Sequence, residues 1–206
     1  MSTGALERLI RRGQPAVPTQ CCDLCAAPIA ERHRHLLDVE NADVNCSCQA
    51  CTILFAGEHA QFTDSGSVQP ERRYRVIPQR RTRLDDVSMT DLGVPVGLAF
   101  FVCQSDGAVV AHYPSPMGAT QWEVDQTIWR RVVAACEPVR AMQCDVEALL
   151  VNTARNANEH WVVPIDDCFR LVAIVRREWR GWSGGNTVWP LIKEFFDQLG
   201  TGSRHG

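Results

Sequence analysis

Cys21-Cys22-Asp23-Leu24-Cys25 and, 22 residues after Cys25, Cys48-Gln49-Ala50-Cys51 decide how this chain is read. Together they spell C-x2-C-x22-C-x2-C. A two-residue gap lets two thiolates from one tight turn reach the same ion, and two such turns close a tetrahedral four-sulfur site. The spacer exceeds the usual ribbon spacing of about 15–20 residues. The extra length fits two short strands, His35 to Val39 and Asp43 to Cys46, around a turn at Glu40-Asn41-Ala42. The expected metal ligands are therefore Cys22, Cys25, Cys48 and Cys51, in a zinc-ribbon-like module.

Other donors crowd the same segment. Cys21 and Cys46 flank the two pairs, and His33 and His35 lie between them in the polar run Glu31-Arg32-His33-Arg34-His35. The plain reading makes the two cysteines thiols beside the site and the two histidines a solvated strand entrance. Ligation, a second metal or an outer-sphere role are the alternatives. For the four-cysteine site the choice is zinc or iron. A rubredoxin knuckle carries glycine after the second cysteine of each pair, whereas Ala26 and Thr52 stand there, which favours structural zinc. A dithiol redox site fits less well, because such a motif opens one helix after a strand.

Working outward, the 206-residue chain contains ten cysteines, six of them within the first 51 residues. The start of the chain places charges every few residues and has no signal-peptide apolar core. The expectation is a cytoplasmic protein, for which a disulfide framework is a poor explanation of the cluster. No apolar run reaches the roughly 18 residues of a membrane span. Apolar residues at 45% and charged residues at 22% are globular values that exclude whole-chain disorder. The net charge of −3 argues against a chain built mainly to hold nucleic acid.

Residues 1–20 read as a short helix (Ala5 to Arg12) and a Pro-containing linker, 21–57 as the metal module, 58–83 as an arginine-rich connector and 84–206 as an α+β domain. In the last, Leu84 to Gly93 resembles a short helix. Val96 to Cys103 is a near-continuous apolar strand, and Gln104-Ser105-Asp106-Gly107 signals a hairpin into Ala108 to Tyr113. Pro114 to Gly118 reads as a rigid loop. Asp125 to Cys136 reads as a helix, Val146 to Asn152 and Trp161 to Ile165 as a second hairpin. A helix capped by Asp166 and a final helix with Val188, Leu191, Ile192, Phe195, Phe196 and Leu199 on its apolar side complete the chain. The order ββαββαα predicts an antiparallel sheet with helices on one face.

Outside the cysteine cluster the chemistry is sparse. There is no phosphate-binding glycine loop and no nucleophile elbow. His112, Tyr113 and Ser115 with His160 offer only a weak triad. Asp166-Asp167 reads as a cap, and the Trp179–Asn186 loop as an anchor between helices. Cys103, Cys136, Cys144 and Cys168 read as small buried residues. Glu71 to Arg83 holds six arginines against one acid. That run suggests a solvated strand edge or a docking surface, with nucleic acid as the lesser alternative.

Several stretches jointly resemble a bacterial family of unknown function: Cys22 to Ile29, His33 to Asp38, Val94 to Phe101, Tyr113 to Thr120 and Trp179 to Gly185. The resemblance spans about residues 20 to 200 and brings no activity that transfers residue by residue. It implies a genetic association with uptake nickel–iron hydrogenases of the high-affinity, oxygen-tolerant type, and hence hydrogenase subunits or maturation factors as protein partners. The expectation is a non-enzymatic metal-binding accessory protein. A rubredoxin-like iron or thiol redox protein is the alternative, with a nucleic-acid-binding zinc ribbon less favoured.

Overall fold

Two unbroken apolar runs, Leu98 to Val102 and Ala148 to Val151, control the architecture. A strand with no polar alternation must be covered on both faces. In the computed structural model the described residues are 20–56, 73–84, 92, 97–181 and 183–202. The expected helix over Ala5 to Arg12, its linker, the Gly57 to Pro70 junction and most of Leu84 to Gly93 lie outside them. The chain divides into two compact units after Val76.

The first unit is a three-stranded antiparallel sheet in the order β2-β1-β3. Strands β1 (Arg34–Asp38) and β2 (Asp43–Ser47) form the expected hairpin, with Leu37 opposite Val44. Ala42 takes φ 55° in its turn. Helix α1 (Gln49–Ala56) follows directly, and β3 (Tyr74–Val76) pairs with the other edge of β1. Phe55 of α1 packs edge-on against Tyr74, ring centres 5.6 Å apart. The buried Asp38 closes the unit by accepting from Arg73 Nη2 at 2.8 Å and Nε at 3.1 Å.

The second unit is a six-stranded antiparallel sheet in the order β4-β9-β8-β5-β6-β7. Its strands are β4 (Thr82–Arg83), β5 (Leu98–Cys103), β6 (Val109–Ser115), β7 (Gly118–Glu123), β8 (Glu147–Asn152) and β9 (Glu159–Pro164). Helices α2 (Gln126–Ala135) and α3 (Glu137–Arg140) lie between β7 and β8, and α4 (Ile165–Glu178) and α5 (Val188–Gly202) end the unit. The α+β class with an antiparallel sheet is as expected, and its helices divide between the two faces. Ala99, Phe101, Leu149 and Val151 pack with Trp129, Val132 and Val139 of α2 and α3. On the opposite face Phe100, Leu150 and Trp161 share one cross-strand row. There a Cβ on Gly200 of α5 would stand 3.8 Å from the Trp161 ring. Both faces of β5 and β8 are thereby removed from water, the main favourable term in folding.

Three local readings change. Pro114 to Gly118 is a hairpin turn: Ser115 pairs with Gly118, and β7 continues as an edge strand. Pro114 is tolerated because the β5–β6 ladder pairs only Phe100 to Cys103, so the proline lies past its end. Asp166 does not cap α4. Pro164 holds the cap position with no side-chain hydrogen bond, and Asp166 and Asp167 lie in the first turn. The arginine run is not simply a solvated edge. Arg80 Nε and Nη2 donate to the fully buried Glu147 at 3.0 and 2.8 Å. Arg81 Nε and Nη2 donate to the buried Asp167 at 2.6 and 3.1 Å.

Candidate metal centre

The four expected ligands converge. The sulfurs of Cys22, Cys25, Cys48 and Cys51 lie within 4.8 Å of one another. Cys25 Sγ and Cys48 Sγ are 3.7 Å apart. Two sulfurs bound at about 2.3 Å to one tetrahedral ion stand about 3.8 Å apart, so the donor set fits a tetrahedral thiophilic cation that these four residues could hold.

The two pairs are held by different local structures. Cys22 and Cys25 sit on a tight turn in which the Ala26 amide donates to the Cys22 carbonyl at 2.8 Å. Ala26 itself has φ 58°. The turn therefore adopts the left-handed conformation at the position after the second cysteine, with alanine in place of glycine, at a cost of roughly 1 kcal/mol. The second pair does not repeat this. Cys48 immediately precedes α1, Cys51 lies in its first turn, and the Cys51 amide points at Cys48 Sγ at 3.4 Å. A ribbon would carry both pairs in turns between strands. Here the second pair is carried by a helix start, where the positive end of the dipole favours thiolates.

The electrostatics follow from crowding four thiols. Burial pushes the Cys22 thiol up, but the amides of Cys48, Leu24 and Cys25 outweigh it and bring it down to about 6. Burial, then the neighbouring sulfurs of Cys25, Cys48 and Cys22, push Cys51 up to about 12. The Cys22 thiolate forms readily and suppresses ionisation of Cys51. A bound dication reverses that order by neutralising them, which couples metal binding to proton release.

The flanking donors separate. Cys21 is exposed and pairs by a backbone bridge with Pro28. His33, His35 and Cys46 form a group of their own, ligand atoms within 4.8 Å of one another. Burial raises the Cys46 thiol, and the Asp23 carboxylate adds to the effect.

The remaining candidates do not assemble into a site. His112 and His160 belong to adjacent cross-strand rows, so they project from opposite faces of the sheet. Tyr113 follows His112 in β6 and so faces the same side as His160, but three strands away, about 14 Å. Tyr113 and Ser115 line a cleft of about 590 Å³ with Trp179, with no histidine or carboxylate in its wall. Trp179 packs on Trp189 at 5.7 Å, as an anchor between α4 and α5 should. Cys136 and Cys168 are buried, as expected. Cys103 and Cys144 are only half-buried, and their sulfurs stand 3.0 Å apart.

The cysteine-rich N-terminal unit and the antiparallel second unit define the class of protein: an α+β chain with a four-cysteine cluster near its N-terminus. Residues 21–203 match the family described as "Family of unknown function (DUF5947)", and the chain belongs to that family. No curated protein and no solved structure matches the chain. Among the described residues no helix is long and apolar enough to cross a membrane.

Proposed function

We propose that this protein is a non-enzymatic metal-binding accessory protein in which Cys22, Cys25, Cys48 and Cys51 hold one structural zinc. The observation that carries the reading is the convergence of four sulfurs within 4.8 Å of one another, with Cys25 and Cys48 at 3.7 Å, the spacing of two ligands on one tetrahedral ion. With four protein ligands and no open position, such a site folds its module rather than performing chemistry. Zinc is preferred to iron because the second pair lies on a helix start and not in a second knuckle. The arginines at 73, 80 and 81 ion-pair with buried carboxylates of this chain, which favours a protein partner over nucleic acid. The partner proposed, from the family resemblance, is a nickel–iron hydrogenase or one of its maturation factors.

Metal content by mass spectrometry, with a visible spectrum, tests the first part on protein purified without added metal. About one or more zinc per chain and no colour is the expected result. One iron per chain with a thiolate charge-transfer band that bleaches on reduction overturns it in favour of electron transfer. Affinity capture of hydrogenase subunits from the native organism by the tagged full chain tests the partner, against a chain carrying Cys48→Ser as the control.

A further inference from the structure

We propose that His33, His35 and Cys46 form a second metal site, open on one side, for a divalent transition cation of borderline softness. The site shares no ligand with the four-cysteine centre.

The hairpin builds it. His35 lies directly opposite Cys46 in the β1–β2 ladder. His33 precedes His35 by two residues, so the period of an extended chain puts it on the same side. The ligand atoms of all three lie within 4.8 Å of one another. The two rings meet edge-on with centroids 4.8 Å apart, and their Nε2 atoms are 3.1 Å apart. Two imidazole nitrogens bound at about 2.0–2.1 Å to one tetrahedral ion stand about 3.3 Å apart, close to the spacing found.

The tautomer is also set. His33 Nδ1 lies 2.9 Å from the Ala30 carbonyl, which can only accept. Nδ1 therefore carries the proton, and Nε2 of the neutral ring turns its lone pair toward His35 and Cys46. Ordering of a ligating histidine through its other nitrogen is the usual outer-sphere arrangement. Cys46 is fixed as firmly: its amide donates to Asp23 Oδ2 at 2.6 Å, and its carbonyl accepts from the Asp23 amide at 2.9 Å. Asp23 lies between Cys22 and Cys25, so one residue braces both donor sets.

Chemistry narrows the ligand. Two imidazoles and one thiolate suit zinc, cobalt, nickel or copper and not magnesium or calcium. Three protein donors leave a position for water or for a donor from another molecule. All three residues are only partly buried, which gives the ion a route in and out. The site is built to exchange its ion, in contrast to the closed cluster beside it.

The test is a cobalt(II) titration of the full-length, metal-free, reduced chain, followed by visible absorption and by X-ray absorption at the cobalt edge. Wild type should bind about two ions, matching two donor groups. One should show strong sulfur charge transfer, and the other, weaker one should show imidazole scattering. The double variant His33→Gln/His35→Gln should lose about half the bound cobalt and all imidazole scattering while keeping the all-sulfur spectrum. Cys48→Ser/Cys51→Ser should lose the all-sulfur spectrum and the second ion with it, because the cluster folds the unit that carries both donor groups, so the histidine variant and the wild-type imidazole scattering report on the second site while the all-sulfur spectrum reports on the first. Saturation of wild type at one ion with an all-sulfur shell overturns the proposal, and so does a histidine variant that still binds two. Should that variant not fold, the wild-type scattering decides alone: no imidazole shell, no second site.

Discussion

Arg80 holds Glu147 through two nitrogens, at 3.0 and 2.8 Å, although Glu147 has no solvent exposure at all. The Gln143 amide donates to the same carboxylate at 2.8 Å. A carboxylate in that position is tolerable only while it is paired. Arg80→Ala should therefore cost about 2–4 kcal/mol, reduced from the roughly 3–5 kcal/mol of breaking a fully buried pair because the guanidinium itself is 43% exposed. All six tryptophans lie in the second unit, so urea unfolding followed by their fluorescence reads the effect directly. A midpoint equal to wild type would refute the clamp.

Cys51 extends a cluster whose sulfurs lie within 4.8 Å of one another. Cys48→Ser or Cys51→Ser should release the ion from that cluster and unfold the first unit, since structural metal binding and folding are coupled. Tryptophan fluorescence, which samples only the second unit, should change little. Far-UV circular dichroism with zinc release to a chromophoric chelator measures the first effect. Full zinc retention by both variants would exclude these ligands.

His112 and His160 are both neutral by preference, because burial lowers the pKa of each. His112 stacks on Phe100 at 4.7 Å, and His160 Nε2 has no hydrogen-bond partner among the described residues. In the unfolded chain each titrates near about 6.5. Their folded pKa values are lower, so the stability linked to them is complete above that pH and is lost as pH falls through the folded values. The urea midpoint should drop between pH 7.5 and pH 5.5, and His112→Phe/His160→Phe should flatten the dependence. Parallel profiles for the variant and wild type would remove the histidines as its cause.

Cys103 Sγ and Cys144 Sγ, 41 residues apart in sequence, are 3.0 Å apart in space. Diamide should oxidise the pair to a disulfide, the two thiol hydrogens and two electrons passing to the reagent. Burial, then Cys144 beside it, push the Cys103 thiol up to about 12, so the reaction should be slow at pH 7 and faster at pH 9. Closing that loop should stabilise the second unit by up to about 4 kcal/mol. Alkylation mapped by mass spectrometry follows the bond, and two fully alkylated cysteines after diamide would show that it does not form.

Much of this was legible in the residues, for local reasons. The C-x2-C spacings announced four converging sulfurs because each pair is a short-range constraint. Asp106-Gly107 announced the β5–β6 hairpin, where Gly107 takes φ 88°. The unbroken runs in β5 and β8 required cover on both faces, although the element order alone suggested one. Strand β7 was hidden because Gly118 to Glu123 lacks apolar alternation and follows two prolines. Helix α1 was hidden because Thr52 to Phe55 is too short a run to show its period.

The sequence by itself determined the donor chemistry of the N-terminal segment and the hairpins, since spacing and turn residues act over a few positions. Only the tertiary structure decided what the arginines do and which donors gather. Arg80 meets Glu147 across 67 residues and Arg81 meets Asp167 across 86. His35 meets Cys46 because the β1–β2 register places them opposite one another. Such pairings are fixed by long-range packing, which leaves no periodic trace in the chain.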